Sequence, residues 1–129
     1  MEFKVIYDEN NNIKFNINNK IYNEDEINLN KIGFDIFIQN IKSKYLSNNN
    51  NKFITLNNSF KLNNLLYNAE IIYNSYLTFT YKSSDISTYL FNKYFDEIIN
   101  LDEFNIIKDD LYIIKCFFSY SYIKYKYKL

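Results

Sequence analysis

The sequence predicts an α+β fold, an antiparallel sheet of about five strands with two or three packed helices. Three observations predict it. Residues 2–22 alternate apolar and polar side chains in three short runs separated by Asn- and Asp-rich turns. Between residues 30 and 101, apolar positions recur three and four apart, the helical spacing. The stretch Leu111 to Leu129 contains no Asp, Glu, Asn, Gly or Pro, and no comparable stretch is as aromatic or as basic.

In chain order, Phe3, Val5 and Tyr7 share one side of a first strand, and Ile13, Phe15 and Ile17 share one side of a second. The run Asp8 to Asn12 makes the first turn, where Asn and Asp tolerate the left-handed backbone that glycine would otherwise supply. Asn18-Asn19 reads as a two-residue hairpin turn into a short third strand, Lys20 to Tyr22. Glu24-Asp25-Glu26 forms a connector or a helix start. Phe34, Phe37, Ile38, Ile41 and Tyr45 predict a helix over about 30–46, capped by Asn28 or Asn30.

Asn48 to Asn51 is a loop, and Lys52 to Leu56 reads as a strand. Leu62, Leu65, Leu66, Ala69 and Tyr73 predict a helix over about 60–73. Residues 76–82 then fit a strand, because Leu77, Phe79 and Tyr81 alternate; a hairpin turning at Asn74-Ser75 is the alternative. Ser84-Asp85 starts a helix reaching about 101, with Phe91, Phe95 and Ile98 on its apolar arc. Residues 104–108 read as a further strand. From Tyr112 to Tyr122 the even positions are all apolar or aromatic, which predicts a long strand with an even-numbered buried face. After Tyr122 the parity reverses, and a bulge near Tyr122–Ile123 is expected. A helical spacing of Leu111, Ile114, Phe118, Tyr122, Tyr125 and Leu129 competes with this reading. The strand is preferred because Lys124, Lys126 and Lys128 cannot share one helix face.

At 129 residues the chain is expected to form one domain, 1–129, with a core that needs no disulfide or metal. Its 47% hydrophobic content and zero net charge argue against disorder. No apolar run is long enough to span a membrane, and the acidic N-terminal residues do not read as a signal peptide. The single cysteine, Cys116, suits a reducing, cytoplasmic setting. Asn, Ile, Lys, Tyr and Phe make up 84 of the 129 residues. These types have AT-rich codons, so an AT-rich genome explains their abundance, and only the positions of the tyrosines carry information.

The missing residue types exclude much chemistry. Without histidine, Ser-His and Cys-His nucleophile systems cannot be built, and the usual metal ligand is absent. With one glycine, phosphate-cradling loops cannot form. Cys116 lies on the buried parity of its run and reads as a small core residue. No catalytic, metal or cofactor residues are assigned, and no enzyme activity is expected.

Two surfaces remain. One is the lysine-tyrosine tail: Lys115, Tyr120, Tyr122, Lys124, Tyr125, Lys126, Tyr127 and Lys128. The other is acidic: Glu24, Asp25, Glu26, Asp96, Glu97, Asp102, Glu103, Asp109 and Asp110. The expected function is a non-enzymatic protein-binding module that occupies a partner's surface. A viral or mobile-element accessory protein that inhibits a host or bacterial defence factor fits this description. The alternative is a single-stranded RNA binder, with tail lysines on phosphates and tyrosines stacked on bases. A homo-oligomer is compatible with either, and no membrane partner is expected.

Overall fold

The computed structural model describes residues 3–10, 12–46, 54–78 and 84–127, with side chains described as far as Lys124. It is α+β, with three strands and four long helices among the described residues. The strands are β1 (Phe3–Tyr7), β2 (Ile13–Ile17) and β3 (Lys20–Asn23), paired antiparallel in the order β1-β2-β3. The helices are α1 (Lys31–Tyr45), α2 (Leu56–Leu77), α3 (Asp85–Ile98) and α4 (Lys108–Tyr127).

The meander forms as its alternation predicts. Ile13, Phe15 and Ile17 all point inward from β2, and Phe15 pairs across to Val5 and Tyr22. The first turn is held by the Asp8 carboxylate, which accepts from the Asn10 and Asn12 amides at 2.9 Å each. Those bonds favour the ionised form, so the Asp8 pKa lies below the usual carboxylate range. Asn18 and Asn19 turn the second hairpin with φ of 52° and 71°, the left-handed backbone that a tight hairpin needs.

Helices α1 and α2 start at well-defined caps. Asn30 accepts from the Gly33 amide at 2.8 Å, and Thr55 accepts from the Asn58 amide at 3.3 Å. Glu103 reaches from a single-turn 3-10 helix, Asp102–Phe104, to bond the Thr55 amide and the Asn58 side chain, reinforcing the start of α2. Helix α2 runs 22 residues, longer at both ends than the expected 60–73. Helix α3 ends at Ile98, a little short of the expected 101.

The strand count is the main correction. The sheet has three strands and not about five, and four helices replace two or three. Leu111 to Tyr127 lies inside helix α4, so the long C-terminal strand and its bulge near Tyr122–Ile123 do not exist. The expected strand at 104–108 is a 3-10 turn followed by the start of α4. At 52–56, Thr55 caps α2 and Leu56 opens it; residues 52 and 53 lie outside the described residues. At 76–82, Tyr76 and Leu77 are the last turn of α2, and 79–82 lie outside the described residues.

The reason lies in where α4 sits. It lies against β1, β2 and α2, and its rings touch α1 and α3 as well. Leu111, Tyr112, Ile114, Cys116 and Phe117 are therefore all buried, on more than one face. A helix that is apolar round most of its circumference carries only a weak 3.6-residue signal, here the spacing of Leu111, Ile114, Phe118 and Tyr122. Its residues then fit a period of two equally well, and β-branched and aromatic content tips the reading to strand. Burial of the even positions holds only in part, since Tyr122 is 44% exposed. Cys116 is fully buried, as its parity implied.

Burial pushes the Cys116 thiol up to about 12, and its Sγ donates only a long 3.8 Å bond to the Tyr112 carbonyl. The thiolate is the reactive form. The native protein should therefore leave Ellman's reagent unreacted while the denatured chain consumes one equivalent. Rapid labelling of the native protein would show that the middle of α4 opens.

Candidate functional site

Two segments far apart in sequence face each other across one cleft of about 960 Å³. One wall is the connector between β3 and α1, residues 24–31, and the other is the C-terminal turns of α2 and α4. The connector opens with a 3-10 turn, Glu24–Glu26. Glu26 steadies it by accepting from the Asn23 amide at 3.3 Å and from the Asn23 side chain at 2.8 Å. Its other end is fixed where Gly33 lets the Asn28 backbone lie directly on the first turn of α1.

The opposite wall is aromatic. Tyr73, Tyr76 and Leu77 come from α2, and Tyr120, Ser121 and Lys124 from α4. Tyr73 is itself buried, its ring stacked on Phe34 at 4.1 Å, and its hydroxyl hydrogen-bonds to that of Ser121. Tyr76 meets Tyr122 edge-on at 6.3 Å. The Lys124 ammonium stands over the Tyr120 ring, 5.0 Å from its centroid. Burial raises the pKa of Tyr73 and Tyr76, so both hydroxyls stay protonated near neutrality.

Glu24, Asp25 and Glu26 make no ion pair with another described residue. Lys31, at the end of the connector, is held by Asp35 at 2.6 Å. One carboxylate oxygen of Glu24 is buried with no hydrogen-bond partner among the described residues.

The cleft thus brings together Glu24, Asp25, Glu26, Tyr120 and Lys124 from the two surfaces read in the sequence. The other candidates lie elsewhere. Lys115 is nine positions before Lys124, about two and a half helical turns, and so projects from the opposite side of α4. Its ammonium is 3.9 Å from the Phe95 ring centroid. Burial lowers its pKa, with Asp96 acting the other way. Tyr125, Lys126 and Tyr127 continue the main chain of α4, and Lys128 lies outside the described residues.

The acids of 96–110 serve the fold separately. Glu97 pairs with Lys61 at 3.4 Å, Glu103 caps α2, and Asp109 accepts from Asn18 at 3.3 Å. Asp110 is half-buried, and desolvation raises its pKa despite the opposing charge of Lys44. Its folded value lies above its unfolded one. The native state then binds the extra proton, and stability falls as pH rises through the range above the usual carboxylate value. Asp110→Asn should raise the melting temperature by a few degrees at neutral pH and leave it unchanged below about pH 4. An equal shift at both values would assign the effect to shape instead of charge.

Reading the sequence alone misses Lys31, Tyr73, Tyr76, Leu77 and Ser121. The α2 residues sit in an apolar helical stripe and read as core, and nothing local marks them as a wall. Leu56, Phe60 and Tyr67 leave a second apolar stripe on the outer side of α2, each at least 59% exposed. Among the described residues no group of three Asp, Glu or Cys side chains could hold a metal ion, and no helix is long and apolar enough to cross a membrane. No protein-family model, curated protein or solved structure matches the chain.

Proposed function

We propose that the chain is a non-enzymatic binding protein that holds a segment of a protein partner in the cleft beside α4. One observation carries this reading: a single concavity of about 960 Å³ gathers the acidic run Glu24–Glu26 and the tail residues Tyr120 and Lys124. Its size matches pockets that enclose several side chains or a small ligand. Tyrosines with one apolar face and one hydroxyl are frequent anchors at protein interfaces. The hydroxyls of buried Tyr73 and half-buried Tyr76 stay protonated at neutral pH and suit hydrogen bonding to a ligand rather than base chemistry.

The RNA reading gains nothing from this geometry. On a strand, alternate residues share a face; on a helix, residues two apart turn about 200° from each other. Positions 124 and 126 therefore lie on different sides of α4, and the alternation by itself builds no shared surface.

A displayed library of random peptides, panned on the immobilised protein, tests the proposal. Leu77→Trp puts a bulky side chain at the rim of the cleft, at a residue already 43% exposed, so the fold should tolerate it. Enriched peptides should bind the native chain and lose at least about tenfold in affinity, or about 1.4 kcal/mol, to the Leu77→Trp variant. Peptides that bind both equally, or no enrichment, would sink the cleft as the binding site.

A further inference from the structure

We infer that what the cleft recognises is a cationic side chain, a lysine or arginine of the bound segment, received between the connector carboxylates and the tyrosines of the facing wall. The inference rests on the protein-binding reading above and adds the chemistry of the occupant. Three observations carry it.

The first is charge. Three carboxylates, Glu24, Asp25 and Glu26, line the cleft and pair with no described cation. Of the two lysines in the lining, Lys31 is already neutralised by Asp35. The cleft is left with a negative excess, and a low-dielectric concavity strengthens its pull on a positive group.

The second is the aromatic wall. The ammonium of Lys124 already stands over the Tyr120 ring at 5.0 Å. An ammonium of this chain thus occupies the kind of position that a partner's lysine or arginine would take. Ile27, Leu29 and Leu77 lie in the same lining and offer apolar surface to the methylene stem of such a side chain.

The third is an excess of acceptors. The carboxylates of Glu24, Asp25 and Glu26 accept hydrogen bonds and donate none, which favours a ligand that brings N–H donors over one that brings further oxygens. An anionic segment would meet three carboxylates and one free lysine, and a purely apolar one would leave those carboxylates without new partners.

Lys124 is then an internal competitor. Its ammonium occupies the Tyr120 face and repels an incoming cation, so removing its charge should strengthen binding. A general role for Lys124 in gripping a partner predicts the opposite sign.

The test uses short blocked peptides that differ only at a central lysine, arginine, norleucine or glutamate. Binding is followed by amide chemical shifts in residues 24–31 and 120–124 of the full chain. The lysine and arginine peptides should bind the native protein about twofold to fivefold more tightly than the norleucine peptide, and the glutamate peptide should not bind. Asp25→Lys, at an exposed position, should weaken the cationic peptides by about fivefold. Lys124→Met should strengthen them by about twofold to fivefold. Equal binding of norleucine and lysine, or weakening by Lys124→Met, overturns the inference while leaving the cleft a binding site. If no peptide shifts these amides, the cleft reading falls together with it.

Discussion

Phe117→Ala is expected to remove about 3–5 kcal/mol of stability. Phe117 is 1% exposed on α4 and joins three helices at one point. Its ring meets Phe34 of α1 edge-on at 5.3 Å and Tyr73 of α2 edge-on at 6.0 Å, and it lies 5.7 Å from Phe37. Alanine would leave a cavity in the middle of this group. Phe34 and Tyr73, stacked at 4.1 Å, can close it only by giving up their own packing. Domains of this size are stable by only about 5–15 kcal/mol, so the variant should lie near the unfolding threshold. Ile106→Ala, at a site 74% exposed, should cost less than about 0.5 kcal/mol and serves as the control. Urea unfolding of the three proteins measures both. A loss below about 1 kcal/mol for Phe117→Ala would mean that α4 is not packed at the centre of the helices.

Gly33→Ala is expected to destabilise the fold even though alanine is the better helix former. Helix propensity favours alanine by about 1 kcal/mol at an interior position. Against that, a Cβ on Gly33 would stand 1.8 Å from the Asn28 carbonyl oxygen and 2.8 Å from its carbon. Both are backbone atoms, so no side-chain rotation can relieve the clash. The connector must move away from α1, at a cost of about 1–3 kcal/mol or more, so the clash outweighs the propensity. The same movement would displace the wall that carries Glu24, Asp25 and Glu26. Denaturant unfolding should show a net loss of about 1 kcal/mol or more, and amide shifts in residues 24–31 should change more than those of α3. An unchanged or raised stability would show that Asn28 does not rest on the helix.

The two substitutions probe what the candidate site depends on. Phe117 and Phe34 set the position of α4 against α1 and α2, which fixes where Tyr120 and Lys124 emerge. Gly33 sets the connector against α1, which fixes the acidic wall. The cleft exists only while both placements hold.

Local chemistry determined the start of the chain. Alternation placed β1 to β3, and the two residues expected to turn the second hairpin, Asn18 and Asn19, are found in the left-handed backbone it requires. Helical spacing placed α1 within a residue at each end, and Asn30, one of the two caps expected, is the one used. The acidic run and the lysine-tyrosine tail could be singled out as candidates, because charge and aromatic content are written in the sequence. Cys116 is buried as expected, although the strand parity that pointed to it belongs to a stretch that is a helix.

Only the tertiary structure decided that the last long element is a helix. Residues 111–118 are surrounded by two strands and three helices, so burial comes from several sides and leaves a helical spacing no stronger than the period of two. Lys115, which broke the apolar pattern, is accommodated by the ring of Phe95 from a different helix. The convergence of Glu24–Glu26 with Tyr120 and Lys124 was beyond the sequence for the same reason. It depends on where α4 emerges from the core, and long-range packing sets that while local propensity does not.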